Sequence, residues 1–521
     1  MTNDQIKRNV VRSALSGYVR LAVRMGLGLV TFRLLYQGLT PEQFGFWSLL
    51  WAIFGYGILL DFGFGYAAQK RVAELSVKQD WPQLGRVLST IFFFYLLGAM
   101  MVAGLGWMFS APLIDLFKVS AEHRDEFRRI LILFLVGIGA AFPMGIFPEV
   151  LQGQQRITTA NNLSILSTVA NFIAVLCVVW FKLSFTVLVI LSILCVLIPY
   201  AWAARLAFDR MPGVRLHPSL FSRATMLDTG RFSLFAYANT LSNVLRNKAD
   251  QPVISLILGV SAVAPYQAGG KVGEMFGQVT RQIADVLSPT AAHLHAKGDA
   301  AALRELLVNG MRYSVLAATP LYLVTAVYMD GVIRLLTGVK HPTAEMLWAG
   351  ELLLFWYYSL VMTHWVYKRM FMMAGEEKRM MWQGVTEAAA NLALSIGLTL
   401  WMQSILGVAW GSVIPTVLLG WGLLWGWAAT RAGVSRRALF QRVILRNWIG
   451  CLPMAAVAAA LRLQPWWSSG STTWLLLAEG GLVCLVGLAG IWQLSLNMVE
   501  RARFSAHLEG KLGLKPKEKP A

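Results

Sequence analysis

The chain has 521 residues, of which 56% are hydrophobic and only 14% are charged, and its mean hydropathy is +0.56. Soluble domains contain about 25% charged residues, so the composition excludes an ordinary soluble protein. Apolar runs of about 18 residues or more recur from end to end and predict an all-α polytopic membrane protein. The net charge of +19 lies mostly in alternate loops, which indicates the positive-inside rule and no nucleic-acid partner.

About fourteen spans of about 20–25 residues are predicted. They lie at residues 12–36, 44–67, 87–110, 129–150, 160–181, 184–206, 230–258, 263–287, 308–329, 345–367, 384–402, 406–429, 444–462 and 473–495. Loops such as 205–223 and 431–442 are rich in arginine, whereas 38–43 and 259–264 contain no basic residue. We therefore expect both termini to be cytoplasmic, with the poor loops and the mixed-charge loop 115–129 outside.

The first two spans carry charge at membrane depth. Arg20 and Arg24 lie one helical turn apart in span one, so they share a face. Asp61 in span two has no basic neighbour one turn away in its own span. An ionised side chain near the bilayer centre costs about 2.5–3.5 kcal/mol on insertion scales. These groups are therefore expected to face a protein interior or a wet cavity.

Span seven carries a long polar face. Its members are spaced for one helix face, and they are Asn239, Asn243, Arg246, Asn247 and Asp250. Span eight repeats the pattern with Lys271, Glu274, Gln278, Arg281, Gln282 and Asp285. In span eleven, Glu387, Asn391 and Ser395 share a face that interhelical hydrogen bonding explains at least as well as contacts with sugars do. Three further arginines near span ends are expected to snorkel to the interface; they are Arg33, Arg231 and Arg312.

An internal repeat relates the two halves of the chain. The stretch 73–84 after span two and the stretch 292–303 after span eight share Ala, Leu, Lys, Asp and Leu at a shift of about 219 residues. Six predicted spans separate the copies, so both halves have the same orientation in the membrane. Parallel six-span repeats are a transporter architecture, with the substrate route between the halves.

Particular motifs resemble one family. The first half reads GLTPEQFGFWS at 38–48, LDFGFG at 60–65 and RVAE at 71–74. The second half reads DQP at 250–252, APYQA at 264–268, SPT at 288–290 and KGD at 297–299. These stretches resemble the polysaccharide flippases of the multidrug/oligosaccharidyl-lipid/polysaccharide exporter superfamily, over about residues 5–430.

The resemblance implies two pseudo-symmetric six-helix lobes around a central cavity, working by alternating access. We expect an N-terminal lobe at 1–215 and a C-terminal lobe at 216–430, followed by two extra spans at 431–500 and a basic cytoplasmic tail at 501–521. In relatives, spans one, two, seven and eight wall the cavity. The cationic groups in these spans would hold a diphosphate headgroup by charge-assisted hydrogen bonds.

The site hypothesis follows from this placement. The expected substrate-binding residues are Arg20, Arg24, Asn239, Asn243, Arg246, Lys271, Gln278 and Arg281. The candidates for coupling to Na⁺ or H⁺ are Asp61, Asp250, Glu274 and Asp285. Asp250, Glu274 and Asp285 each lie one turn from a basic residue of the same span, so ion pairing that makes burial tolerable is the simpler alternative for them.

The sequence predicts a transporter of the bacterial inner membrane and not an enzyme. The expected substrate is a polyprenyl-diphosphate-linked oligosaccharide for surface polysaccharide, with membrane lipid as the other partner and no cofactor. No metal site is expected, because His293 and His295 have no nearby cysteine or carboxylate. The alternatives are a multidrug or small-cation exporter of the same superfamily, and a membrane glycan polymerase or ligase.

Overall fold

The computed structural model describes residues 3–57, 64–231, 241–242, 244–246, 248–373, 375–463, 473–502 and 505. The helices of the first part are α1 (Asn3–Gly38), α2 (Pro41–Tyr56), α3 (Phe64–Lys78), α4 (Trp81–Met108), α5 (Ser110–Leu116), α6 (Arg124–Met144), α7 (Ile146–Gly153), α8 (Ile157–Trp180), α9 (Phe185–Phe208) and α10 (Arg223–Arg231).

The helices that follow are α11 (Asp250–Ile257), α12 (Val263–Ala296), α13 (Ala300–Val327), α14 (Met329–Thr337), α15 (Ala344–Thr363), α16 (Trp365–Met373), α17 (Glu377–Met402), α18 (Leu406–Leu419), α19 (Trp425–Ala432), α20 (Arg436–Phe440), α21 (Arg446–Arg462) and α22 (Thr473–Gly490). Short 3₁₀ turns lie at Pro218–Leu220 and Val260–Ala262. Five-residue π-helical stretches lie at Gly420–Leu424, Gln441–Leu445 and Ile491–Ser495.

Within the described residues, nine helices are long and apolar enough to cross a membrane. A tenth is added if α13 and α14, which are bent by 81°, form one broken span. These ten coincide with the predicted spans three to six and nine to fourteen. The all-helical membrane architecture is confirmed, whereas the total of fourteen spans stays a prediction.

The four remaining predicted spans are one, two, seven and eight. Spans one and eight lie in α1 and α12, which are 36 and 34 residues long but carry several charged side chains. Spans two and seven include residues 58–63 and 232–240, which lie outside the described part of the chain. Spans one, two, seven and eight therefore stay predictions, two of them because part of each lies outside the described residues.

The predicted repeat is visible in the helix boundaries. Helices α4 and α13 are both 28 residues long, and each begins after a matching turn. The Asp80 carboxylate accepts from the Gln83 backbone N–H, and the Asp299 carboxylate accepts from that of Ala302. The starts of α5 to α9 are each followed, 219 to 221 residues later, by the starts of α14 to α18.

The backbone turns repeat with the same period. Among the described residues with positive φ, all but Gly259 form pairs that lie 219 to 221 positions apart. The pairs are Gln79 with Gly298, Lys118 with Gly338, Gln155 with Gly375, Lys182 with Gln403, and Gly213 with Gly433. Helix lengths and helix-ending turns thus recur together, which supports a six-span repeat and the expected lobes at 1–215 and 216–430. The lobe boundaries themselves stay a prediction.

The chain divides into two compact units. Unit 1 comprises Met1–Ala268, Leu336–Gly338 and Met381–Gly411. Within it α1 packs along α8, α8 packs on α9, and α4 packs on α6. One core cluster of this unit joins α3, α4, α7 and α9 through fully buried aliphatic side chains such as Val72, Leu84 and Val150.

Unit 2 comprises Gly269–Leu335, Val339–Met380 and Ser412–Ala521. Its core cluster includes Leu307, Tyr367 and Leu424, all at most 2% exposed. Helices α21 and α22, which contain the two extra spans, pack on each other and on α13. Met454 and Val483 are fully buried in a second cluster with Tyr328. The extra spans are therefore part of this unit's core.

The repeat gives a test of backbone strain at one matched turn. Gln79 has φ +56, whereas its counterpart Gly298 has φ +71 and open space where a Cβ would stand. We expect Gln79→Gly to raise the free energy of unfolding by about 0.5–1 kcal/mol and Gly298→Gln to lower it by a similar amount, because only glycine tolerates this backbone region without cost.

The measurement is thermal unfolding of the purified protein in detergent. Lys78→Gly is the matched control, since Lys78 is the last residue of α3 and is not among the residues with positive φ, so glycine there relieves no backbone strain. Equal losses of stability for Gln79→Gly and Lys78→Gly would contradict the proposed strain in the Gln79 backbone.

Candidate functional site

The described part of span seven contains a buried ion pair in unit 1. Arg246 is 8% exposed and Glu387 of α17 is fully buried. The guanidinium Nη1 lies 3.1 Å from Glu387 Oε2, and the Gln383 amide donates to the same oxygen at 3.0 Å. Each charge offsets the desolvation of the other, which is the condition for burying either of them.

Glu387 belongs to a polar stripe along α17. Its members recur every four residues and are at most 4% exposed; they are Gln383, Glu387, Asn391, Ser395 and Thr399. Gly411 of α18 lies so close to Ser395 that a Cβ would overlap it. The stripe is therefore enclosed by helix packing, in agreement with the interhelical interpretation of span eleven.

Asp250 begins α11 and is 7% exposed. Its Oδ2 accepts a hydrogen bond from the Tyr266 hydroxyl. The aliphatic stem of Lys248 packs toward Gly55 of α2, where a Cβ would lie 3.5 Å from Lys248 Cε. Three ionisable side chains of span seven, Arg246, Lys248 and Asp250, thus contact other parts of unit 1, as its polar face requires.

The polar face of span eight lies on α12 in unit 2. Lys271 Nζ lies 3.1 Å from Glu274 Oε2, and both side chains are partly exposed. Asp285 pairs with Arg369 of α16 at 2.7 Å. Gln278 is half-buried, whereas Arg281 is exposed, as is Gln282. Two of the candidate coupling carboxylates, Glu274 and Asp285, therefore have cationic partners.

Arg20 and Arg24 are exposed on α1. They lie roughly 80–180° around the helix axis from the exposed apolar side chains Leu15, Val19 and Val30. The side of α1 that packs on α8 is held by a hydrogen bond of 2.9 Å from the Asn161 amide to Ser16 Oγ. Span one thus has a cationic surface that is separate from its exposed apolar surface.

Three of the expected site residues, Asn239, Asn243 and Asp61, lie outside the described residues, as does Asn247. Their roles stay predictions. Within the described residues, no three His, Cys, Asp or Glu side chains are grouped so that they could hold a metal ion.

Arg312 is the one expected snorkeller whose position corrects the sequence interpretation. It is 8% exposed, and its guanidinium pairs with both oxygens of Glu500, which follows the last span. Its Nη2 also donates to the Ser495 carbonyl at 2.8 Å. The end of span fourteen packs over Arg312. The side chain therefore has a protein partner and does not extend to the membrane interface.

Glu500 is held from three sides. Besides Arg312, the Tyr313 hydroxyl and the Asn497 backbone N–H donate to it at 2.9 and 2.8 Å. Burial opposes its ionisation, but these hydrogen bonds outweigh burial and lower the pKa of Glu500 to about 2. The contact joins α13 to the segment after the extra spans by a charge-assisted, bidentate bond.

The predicted outside loops of unit 1 contact one another. The Val260 N–H donates to the Phe117 carbonyl at 3.2 Å, and Lys118 Nζ donates to the Ile257 carbonyl at 2.5 Å. Gly45 at the start of α2 lies against the Val260 carbonyl, where a Cβ would overlap it. The ends of spans two, three and seven are thus joined on this side of the membrane.

A second contact on the same side joins the first and second outside loops. The Ser120 backbone N–H donates to Glu42 Oε1 at 2.6 Å, and His123 Nδ1 lies 2.7 Å from Glu42 Oε2. Burial raises the pKa of Glu42, but hydrogen bonds from Ser120 and His123 outweigh it and lower the pKa. Ser120 Oγ also lies 3.1 Å from His123 Nδ1. The same ring nitrogen therefore faces both Ser120 and Glu42, so the His123 ring does not relay a proton from one to the other.

The fold is similar to that of solved transporters. The lipid II flippase MurJ in an inward closed conformation matches with a TM-score of 0.69 at 14% identity, covering 93% of this chain and 99% of that chain. An inward-facing multidrug resistance MATE family transporter of the MOP superfamily matches at 0.65 and 15%, covering 81% and 99%. A MOP superfamily transporter from Pyrococcus furiosus matches at 0.56 and 14%, covering 82% and 96%. At these identities the likeness establishes the fold.

The family follows from the sequence itself. The model of the polysaccharide biosynthesis protein family matches residues 9–295, more than half of the chain, and the chain belongs to that family. None of the curated proteins matches it. The resemblance inferred from the motifs at 38–48 and 250–268 is confirmed at the level of family and fold.

The buried pair gives a test that separates stability from function. We expect Arg246→Met and Glu387→Met each to cost about 3–5 kcal/mol, because each leaves one charge buried without its partner. The double variant Arg246→Met/Glu387→Met should lose much less than the sum of the two, since no lone charge remains. The measurement is a double-mutant cycle on unfolding in detergent.

The partly exposed pair Lys271–Glu274 serves as the control cycle. Its coupling energy should be about 1 kcal/mol or less because water screens it. If the stability losses of the Arg246 and Glu387 single variants simply add in the double variant, the ion pair does not stabilise the burial of either residue.

The contact between Glu500 and Arg312 predicts a pH dependence. The folded-state pKa of about 2 lies below the ordinary value of 4.5, so its contribution to stability is complete above about pH 5 and is lost as the pH falls toward 2. We expect Glu500→Gln to lower the unfolding temperature at pH 7 and the difference from the parent to shrink at pH 3.

Glu305→Gln is the matched control, because Glu305 is an exposed carboxylate on the same helix, α13. Its difference from the parent should stay small at both pH values. A Glu500→Gln difference that is unchanged between pH 7 and pH 3 would contradict the lowered pKa.

Proposed function

We propose that the protein flips a polyprenyl-diphosphate-linked oligosaccharide across the bacterial inner membrane, for surface polysaccharide biosynthesis, by alternating access. The observation that carries the proposal is membership of the polysaccharide biosynthesis family together with a fold shared with a flippase of another lipid-linked precursor. Flipping moves an intact molecule, so the proposal requires no bond to be made or broken and makes the protein a transporter and not an enzyme. Both termini are cytoplasmic in this proposal.

The substrate's diphosphate is proposed to meet the exposed cations first. Arg20 and Arg24 on α1, and Arg281 on α12, are accessible to a ligand, and guanidinium groups bind phosphate oxygens in a bidentate manner. Arg246 and Lys271 already pair with carboxylates, so their proposed part is to position the site more than to add charge to it. Gln278, Asn239 and Asn243 complete the proposed set as hydrogen-bonding groups for the headgroup.

The contacts between the predicted outside loops support entry of the substrate from the inner leaflet. Lys118 with Ile257 and Phe117 with Val260 join the loops by single hydrogen bonds. The net contribution is about 1.5–3 kcal/mol for the charged Lys118 donor and about 1 kcal/mol for the Val260 N–H. Opening toward the outside would break these bonds and leave the polar groups to water. The buried pair Arg246–Glu387 is a contact that the cycle would keep.

Coupling to Na⁺ or H⁺ is proposed to use a carboxylate of the same spans. Asp250 is the leading candidate, because it is buried with a neutral tyrosine hydroxyl as its hydrogen-bond donor. Glu274 and Asp285 have cationic partners, which favours a structural role for them. Asp61 stays a further candidate.

The shared fold with a multidrug resistance transporter keeps a drug or small-cation exporter as the second candidate. Such a site needs negative walls to attract a cation, whereas the exposed charged side chains proposed for the site, Arg20 and Arg24 on α1 and Arg281 in the middle of α12, are all arginines. A glycan polymerase or ligase is the third candidate. The two readouts that separate these candidates are the drug-resistance profile on expression and extension of a lipid-linked glycan by the purified protein.

The decisive test removes the exposed charge of α1. We expect Arg20→Gln/Arg24→Gln to reduce surface glycan about tenfold or more, because each charge-assisted hydrogen bond contributes about 1.5–3 kcal/mol, and to raise lipid-linked oligosaccharide in the inner leaflet. Arg437→Gln/Arg442→Gln is the matched control, since it removes two exposed charges from the loop between spans twelve and thirteen. Both variants must be present in the membrane in equal amount.

The lysine variant Arg20→Lys/Arg24→Lys should recover part of the export, because charge returns without the bidentate geometry. Full export by the glutamine double variant would overturn the assignment of these arginines. Unchanged surface glycan together with a changed drug-resistance profile would favour the exporter.

A further inference from the structure

A concave site lies within unit 2, where three spans end on the same side of the membrane. It is formed by the start of α13, the end of α16 and the end of α19. Span nine begins on the side where spans ten and twelve end, so the three elements meet at one membrane surface whatever the orientation of the chain. The basic loops predict that this surface is cytoplasmic.

The floor of this pocket is apolar. Leu303 and Leu307 contribute from one face of α13, and Met370 and Phe371 contribute from α16. All four are at most 8% exposed, so they form a floor with a small area open to solvent. Ala300 at the first turn of α13 lies at the entrance. An apolar floor at this depth fits the first methylene groups of an acyl chain better than it fits a free ion.

The rim of the pocket is cationic. Arg304 and Arg431 line it, and the Arg431 guanidinium lies 5.7 Å from the Phe371 ring centroid. The carboxylate of Glu376 lies 3.6 Å from Arg431 and 3.4 Å from Arg379, so two guanidinium groups share one negative charge there. With Arg304 added, these groups carry a surplus of positive charge.

A further carboxylate at the start of α13 is already engaged. Asp299 precedes Ala300 and accepts a hydrogen bond from the Ala302 backbone N–H, which makes it the cap of α13. Its charge is therefore directed at the helix N-terminus, and the arginines remain the charged groups that line the rim.

We propose that this pocket binds an anionic glycerophospholipid of the cytoplasmic leaflet. The headgroup phosphate would lie between Arg304 and Arg431, and the start of an acyl chain would lie on the floor of Leu303, Leu307 and Phe371. Basic pockets between membrane helices on the cytoplasmic side are a recurrent mode of acidic lipid recognition. The site belongs to one unit and is separate from the proposed substrate residues, so the inference does not depend on the proposed function.

The test measures lipid binding to the purified full-length protein. Phosphatidylglycerol is titrated into delipidated protein, and retained lipid is counted by native mass spectrometry, with phosphatidylcholine and inorganic phosphate as parallel probes. We expect phosphatidylglycerol to be retained about tenfold more strongly than phosphatidylcholine, and inorganic phosphate at the same concentration not to displace it.

Two variants test charge and shape separately. Arg304→Gln/Arg431→Gln removes the rim charge, and Ala300→Trp fills the entrance while both arginines stay. Each should lower phosphatidylglycerol retention about tenfold, whereas the matched control Arg437→Gln/Arg442→Gln should retain it as the parent does. Thermal unfolding in detergent shows that each variant is folded before its lipids are counted.

Each of the following results would overturn the proposal. Equal retention of phosphatidylglycerol and phosphatidylcholine would exclude recognition of the anionic headgroup. Displacement by inorganic phosphate would identify a simple anion site, and full retention by Ala300→Trp would place the lipid elsewhere. Retention of a polyprenyl diphosphate in preference to phosphatidylglycerol would make the pocket a substrate site instead.

Discussion

The structure depends on one constraint, which is that an ionised side chain at membrane depth needs either a partner of opposite charge or water. Arg246 and Arg312 satisfy it by pairing with Glu387 and Glu500, and both arginines are 8% exposed. Arg20 and Arg24 are exposed instead, which suits contact with water or with a charged ligand. Charge in this protein is thus divided between pairs that fasten helices together and groups that remain accessible.

The repeat shows a second constraint, which acts on the backbone where the chain reverses direction. Each six-span half must reverse direction at the same points, and most of the described helix ends that do so use a residue with positive φ. The first half accepts this backbone at Gln79, Lys118 and Gln155, whereas the second half has glycine at the three matching positions. The two halves thus share the turn geometry although the residue types at the turns differ. This indicates that the positions of the turns determine the architecture of each half.

Hydropathy, loop charge and one repeated loop were sufficient to predict the helical class, ten of the spans and the six-span repeat. They did not predict the partners of the buried charges. Helical spacing pointed from Arg246 to Asp250 one turn away, whereas the structure pairs Arg246 with Glu387, 141 positions along the chain. Spacing ranks neighbours on one helix, and a tertiary partner is set by packing between distant helices. Glu387 was recognisable only as a carboxylate inside an apolar span, and Arg312 resembled a snorkeller because Glu500 lies beyond the last span.

The energies of these contacts differ enough to suggest which of them open during transport. Breaking a buried pair such as Arg246–Glu387 strands a charge and costs about 3–5 kcal/mol, so the helices it joins are expected to move together. The contacts of Lys118 and Val260 on the predicted outside are single hydrogen bonds to carbonyl oxygens. Their net contributions are about 1.5–3 kcal/mol for the charged Lys118 donor and about 1 kcal/mol for the Val260 N–H. A transporter that opens alternately to the two sides of the membrane needs a gate whose contacts break at low cost. It also needs groups of helices that stay rigid while the gate opens. The contacts of Lys118 and Val260 between the predicted outside loops are weaker than the buried pairs, which suits the alternating access proposed for this protein.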